Sequence, residues 1–469
     1  MLWLSSCSAA DVADPASVDT GDALVLGDLG DADSITDEQL VLSIEAFWTE
    51  EFAAAGPTEF EPVDPKRVIG LSAGRRSQVT CDGVKVRFAD VADNALATDC
   101  AEGPLVAWDA GELTPELREQ YGVAGPGLLL AHEYGHVVQY QRHNGDLSSI
   151  VAEQQADCYA GAWLAFAIDE VPAFAGDDVL DAVVGTALDN ADGPGDLAED
   201  PDAHGSGFDR LRAMQDGLNG GAAYCDTYPE ALPTLVLPAL VSPGGLATAA
   251  RPAATEPAAT ELAAADDAEA VLRLVRGSLN DYAAALSRGF RPITSVEDLG
   301  EASGRCDGVK ASRLRSDVVV CRRRGTLMFH RDALADAFAT RGAAGVAARV
   351  ALAWADAIRV DAGERLASGS ARAARQRVCL VGGWFRTLLA NGGIGGLRDS
   401  DAAARPAAAT GLAASADDLD AAIATVVDVV DTAAADAAGA GLGRISVFDA
   451  AAALRDGVLD GPTACGLGH

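Results

Sequence analysis

Basic residues are scarce in this 469-residue chain: 35 Lys and Arg stand against 70 Asp and Glu, a formal net charge of −35. Such a surplus repels polyanions, so nucleic-acid partners and electrostatic adhesion to anionic membranes are excluded. The bland reading of the charge is a solvated acidic surface that keeps the protein in solution. Long apolar runs are also missing. The best, "LPTLVLPALV" (232 to 241), is broken by prolines and falls short of the roughly 18 residues that a membrane span needs. What the chain does have is 49% hydrophobic residues, enough for packed cores, though much of that share is alanine. Alanine favours helices and buries little area per residue, and the length calls for two domains.

The amino terminus, "MLWLSSCSAADVAD", places Leu4, Ser5 and Ser6 before Cys7 and a polar, acidic tail after it. This resembles the lipobox of bacterial lipoproteins, in which the cysteine is lipidated. It departs from that pattern in lacking a basic leader and a full apolar stretch, so the expectation is a true start upstream of Met1 and a lipid anchor on Cys7. The remaining eight cysteines are even in number, which points to disulfides and an extracytoplasmic, secreted or cell-surface location.

Those eight cysteines fall into two sets of four in the same order. "CDGVK" occurs at 81 to 85 and at 306 to 310. "CYAGAW" (158 to 163) is matched by "CLVGGW" (379 to 384), and "FDRLRAMQDGLNGGAAYC" (208 to 225) by "FDAAAALRDGVLDGPTAC" (448 to 465). Alanine richness cannot produce ordered cysteine, tryptophan and Asp-Gly matches, so the chain reads as a tandem duplication. Its parts are a lipobox-like segment and acidic linker (1–36), a first unit (37–232), an Ala- and Pro-rich linker (233–267) and a second unit (268–469). A duplicated unit carries the same pairing twice, predicting disulfides Cys81–Cys100, Cys158–Cys225, Cys306–Cys321 and Cys379–Cys465. Each unit opens on a helix, "DEQLVLSIEAFWTEEFAAA" (37 to 55) or "AEAVLRLVRGSLNDYAAAL" (268 to 286). Short strands around "GVKVRFADV" and "DVVVC" and several further helices follow, giving a helix-rich α+β fold.

Only the first unit carries chemistry. "LLLAHEYGHVVQYQ" lies on a predicted helix over 128–142, with His132 and His136 four apart on one face and Glu133 beside the first. Two imidazoles so placed can bind one zinc ion, and Glu133 can reach a water on it. At this chain's His and Glu frequencies an accidental HExxH arises in roughly half a percent of sequences, which makes the motif a strong signal. A third ligand is needed. "VAEQQADCYAGAW" offers Glu153 and Asp157, four apart on a second helix, with Glu153 suited to the metal and Asp157 to orienting a ligand imidazole. The reverse assignment, Asp157 as ligand, stays open. In the second unit the same alignment puts Leu352, Ala353 and Asp356 in place of the motif. Ala374, Val378 and Arg444 replace Glu153, Asp157 and His204, so no metal site is expected there.

"HEYGHVVQ", "EQQADCYAGAW" and "HGSGFDRLRAMQDGLNGGAAYC" resemble segments of the bacterial neutral zinc metallopeptidases, a gluzincin-like family. The likeness spans about residues 39 to 228 and includes the "CDG" and "DNALATDC" segments. It implies a zincin fold, His132, His136 and Glu153 as Zn2+ ligands, Glu133 as general base, Asp157 behind a ligand histidine and His204 near the site. The role of His204, oxyanion donor or local turn residue, stays open. The expected function is zinc-dependent hydrolysis of a peptide or protein substrate, with an inactive second repeat that binds or regulates. The competing class is a cell-surface binding protein with a structural or vestigial metal site.

Overall fold

A computed structural model describes residues 26–467 apart from 27–28, 30–31, 33, 75–76, 143–146, 177–178, 193–202, 234, 237–260, 302–303, 315, 364–369, 392–411 and 436–444. Cys7, most of the linker and Arg444 lie outside the described residues.

The first unit begins with α1 (Asp37–Ala55), whose ends coincide with the sequence reading. Thr36 and Gln39 form a reciprocal capping box at its start, so the first orphan N–H groups are satisfied locally. The chain then makes a three-stranded sheet of β1 (Val68–Leu71), β4 (Ala95–Cys100) and β5 (Gly103–Asp109), in the order β1-β5-β4. β5 runs parallel to β1 and antiparallel to β4. A two-stranded hairpin, β2 (Thr80–Cys81) and β3 (Val84–Lys85), sits beside it. Five longer helices follow among the described residues, α2 (Leu113–Tyr121), α3 (Ala124–Gln141), α4 (Ser149–Glu170), α5 (Val179–Asp189) and α6 (Gly207–Cys225), and then a one-turn helix at Tyr228–Ala231.

The second unit repeats this plan. α7 (Glu261–Leu286) leads into β6 (Ser295–Asp298), the hairpin β7 (Arg305–Cys306) and β8 (Val309–Lys310), then β9 (Val318–Cys321) and β10 (Thr326–Phe329). The sheet order is β6-β10-β9, with the same parallel and antiparallel pairings as before. α8 (Arg331–Asp361), α9 (Ala371–Asn391), α10 (Ala416–Ala435) and α11 (Val447–Asp460) follow. α7 begins at Glu261, inside the segment read as linker.

All four expected disulfides are present, and they explain the repeated "CDG". Asp82-Gly83 and Asp307-Gly308 take positive φ, the tight hairpin turn that Asp-Gly favours. The same aspartates reach out to the neighbouring sheet turn, Asp82 accepting from Ala101 N–H and Asp307 from Arg322 and Arg323 N–H. The cystine then ties hairpin to sheet. The turn also corrects one expectation: "GVKVRFADV" is a strand only at Val84–Lys85, because the hairpin closes after two pairs and Phe88–Asp90 winds into a 3-10 turn. α3 likewise begins at Ala124, ahead of the expected 128. Pro126 lies in its first turn, where a missing N–H costs nothing.

The repeated "GxW" and "DG" motifs mark a close helix crossing. A Cβ on Gly161 would lie 1.9 Å from the Met214 carbonyl oxygen, and one on Gly217 would lie 1.8 Å from that of Cys158. α4 and α6 therefore touch backbone to backbone, locked by Cys158–Cys225. Gly382 and Gly457 repeat the arrangement in α9 and α11. Apolar packing does not stop at the unit boundary. One buried cluster includes Leu128, Trp163 and Phe208 of the first unit and Trp354, Trp384 and Leu454 of the second.

Candidate metal centre

α3 is buried along most of its length, which fixes the orientation of its polar side chains as firmly as that of its apolar ones. His132 and Glu133 are only 6% and 7% exposed. α4 crosses α3 at Gly135, where a Cβ would lie 2.9 Å from Ala156 Cα. This approach brings the α4 carboxylates onto the α3 histidines.

Glu153 meets both imidazoles. Its Oε2 is 3.0 Å from His132 Nε2 and its Oε1 is 3.4 Å from His136 Nε2. These three residues form a group whose ligand atoms converge closely enough to hold a metal ion. The other such group among the described residues, Asp93, Asp109 and Glu112, is also in the first unit and is largely exposed. Asp157, wholly buried, accepts from His132 Nδ1 at 2.8 Å and from the Arg210 guanidinium at 2.9 Å. It thus lies behind His132, on the far side from Glu153, and the reverse assignment with Asp157 as ligand does not fit this placement.

His136 has an orienting partner that sequence reasoning missed. Its Nδ1–H donates to Gln139 Oε1 at 3.0 Å; Gln139 donates in turn to Ala152 O and Gln155 Oε1, and Gln155 to Cys225 O. Gln139 sits one turn beyond His136, so spacing alone could have flagged it. Arg210 had no local signal. His204 stands at the edge, with its side chain 45% exposed, Nε2 3.8 Å from Glu153 Oε2 and Nδ1 3.6 Å from Asp192. It is outside the converging trio. Its backbone is held firmly, the N–H donating to Asp192 and the carbonyl accepting from Gln154.

Burial would lower the pKa of His132, but the Asp157 and Glu153 carboxylates more than offset it and push the group up to about 10. Burial would raise Glu153, yet the two histidines hold it well below the usual carboxylate range. Glu133 is raised by burial, with the neighbouring histidines opposing. A small cleft of about 110 Å³ opens onto His132 and Glu133, walled by Leu117, Leu129, Met214 and Asn94, with His204 at its rim.

The equivalent place in the second unit is sealed with apolar groups. Leu352, Ala353, Ala374 and Val378 are all buried, and Asp356 pairs with Arg377 and Arg359 instead of facing a metal. Compared with known protein families, curated proteins and solved structures, the chain matches none.

Proposed function

We propose that the chain is a zinc-dependent metallopeptidase whose first unit hydrolyses peptide bonds and whose second unit is a catalytically inert copy. The observation that carries this reading is the convergence of His132, His136 and Glu153 beside the buried carboxylate of Glu133. Zinc bonds of about 2.0–2.1 Å at tetrahedral angles put ligand atoms roughly 3.3 Å apart. Glu153 lies near that spacing, 3.0 Å from His132 Nε2 through Oε2 and 3.4 Å from His136 Nε2 through Oε1, and one ligand atom from each residue falls within 4.8 Å of the others. Asp157 and Gln139 behind the two imidazoles fit it as well, since each fixes the tautomer that leaves Nε2 free to ligate.

His132, His136 and Glu153 would hold the ion, leaving one position for water. A zinc ion held there would supply a water of lowered pKa and polarisation of the scissile carbonyl. Glu133, buried beside the ligands, takes the proton from the attacking water and passes it to the leaving nitrogen as the C–N bond breaks. His204, held by its backbone at the rim of the cleft, donates to the developing oxyanion. A structural metal site in a binding protein is the weaker reading, because such a site closes with four protein ligands and has no use for Glu133.

The described helices include none long and apolar enough to cross a membrane, and four disulfides indicate an oxidising, extracytoplasmic environment. We place the protein there as a secreted or Cys7-anchored enzyme. Glu133→Gln tests the assignment: zinc content should persist while cleavage of a quenched-fluorescent peptide library is lost. A variant that cleaves like wild type would overturn it.

A further inference from the structure

The two units exchange helix caps. Leu180-Asp181 at the start of α5 corresponds to Leu419-Asp420 in α10. The α6 start, Ser206-Gly207-Phe208-Asp209, corresponds to Ser446-Val447-Phe448-Asp449 at α11. Asp420 accepts from Gly207 N–H through Oδ2 and from Phe208 N–H through Oδ1, both at 2.8 Å. Asp181 Oδ1 accepts from Phe448 N–H at 2.9 Å in the reciprocal contact. Each helix also has its own serine cap, Ser206 or Ser446, so the aspartates satisfy N–H groups that the local cap leaves open.

Related by sequence, the two contacts differ in what their helices carry. α6 begins three residues after His204, and its Arg210, in the first turn, donates to the same Asp157 oxygen that holds His132 Nδ1. Asp420 therefore grips the element that sets Arg210, and through it Asp157 and His132. α11 supports no ligand, because Ala450 stands in the place of Arg210 and the positions aligned with His132, Glu153 and Asp157 are Leu352, Ala374 and Val378.

Resting on the assignment of His132, His136 and Glu153 as metal ligands, we propose that Asp420, from the degenerate unit, is a positioning residue for the metal centre of the first unit. On this account the second copy is retained as the wall that holds α6 in register. The structure supplies its own control, since Asp181 makes the mirror contact at the same interface with no metal ligand behind the helix it caps.

The test uses the full chain and zinc alone, with affinity read by competition against a chromophoric chelator and stability by thermal unfolding in the presence of EDTA. Groups directly behind a ligand, here Asp157, change metal affinity about 10- to 100-fold, and Asp420 acts further out, through α6 and Arg210. Asp420→Ala should weaken zinc binding roughly 3- to 10-fold, against less than about twofold for Asp181→Ala, while both lower the unfolding temperature to a similar degree. Asp420→Asn, which keeps one acceptor oxygen, should recover part of the affinity and serves as the readout if the alanine variant does not fold. Equal zinc affinities for the Asp420 and Asp181 variants would overturn the proposal. Failure of the ligand assignment is separately visible: wild type would then bind no zinc, or His136→Ala would bind it as tightly as wild type.

Discussion

Replacing Asp157 by asparagine removes one charge and leaves the shape intact. In the native site this side chain has no solvent exposure, and a single oxygen takes the bonds from His132 Nδ1 (2.8 Å) and the Arg210 guanidinium (2.9 Å). The Arg210 side chain is itself only 7% exposed, so water cannot stand in for the lost carboxylate. Hydrogen bonds to buried charged groups contribute about 1.5–3 kcal/mol, and the metal-free protein should lose about that much stability. Alanine, which leaves the buried guanidinium without its carboxylate and with only the Asn190 carbonyl as a partner, should cost about 3–5 kcal/mol. Zinc affinity should fall separately. Without the carboxylate His132 is a weaker base and its tautomer is no longer fixed, and changes of this kind lower metal affinity about 10- to 100-fold, or about 1.4–2.7 kcal/mol. Chelator competition gives the second quantity and denaturant unfolding in EDTA the first. Wild-type zinc affinity in Asp157→Asn would refute the view that this residue orients a ligand.

Gly135→Leu should abolish zinc binding and cost about 1–3 kcal/mol in stability, because the 2.9 Å approach to Ala156 leaves no room for a side chain unless α3 and α4 part; retained binding in a metal assay would contradict this. With its pKa raised to about 10, His132 carries a proton at neutral pH in the metal-free protein, whereas a ligand imidazole must be neutral. Zinc binding should therefore release a proton, seen calorimetrically as a dependence on buffer ionisation enthalpy, and should tighten as pH rises. The same raised value stabilises the metal-free fold fully below about pH 6.5, the unfolded pKa, and that contribution is lost as pH climbs through about 10. Cys158→Ala with Cys225→Ala opens a loop of 67 residues and should cost about 4 kcal/mol. The Cys81 and Cys100 pair closes only 19 and should cost about 3, an order that chemical unfolding can check.

Some of this was plain in the chain. α1 could be read to the residue because its apolar spacing is a local signal. Duplication restricted the disulfides to one pairing used twice, and the short hairpin-like segment between Cys81 and Cys100 chose among the three pairings that four cysteines allow. His132, His136, Glu153 and Asp157 come together because two i, i+4 pairs each fix a helix face. Elements whose cause is distant were not legible. The strands are two to seven residues long and take their partners from elsewhere, so "GVKVRFADV" looked more extended than its Asp82-Gly83 turn allows. Arg210 lies 53 residues from Asp157, and Asp420 lies 213 from Gly207. The linker composition likewise concealed a core that runs through both units, because composition reports how a connector is solvated and says nothing of how the helices beyond it pack.

The most direct check on the account is the zinc content of the purified full-length protein after loading and desalting. Elemental analysis should find one zinc per chain, held by the first unit, and none in His136→Ala. Two zinc ions per chain would contradict the inert second site, and none in the wild type would contradict the metal centre itself.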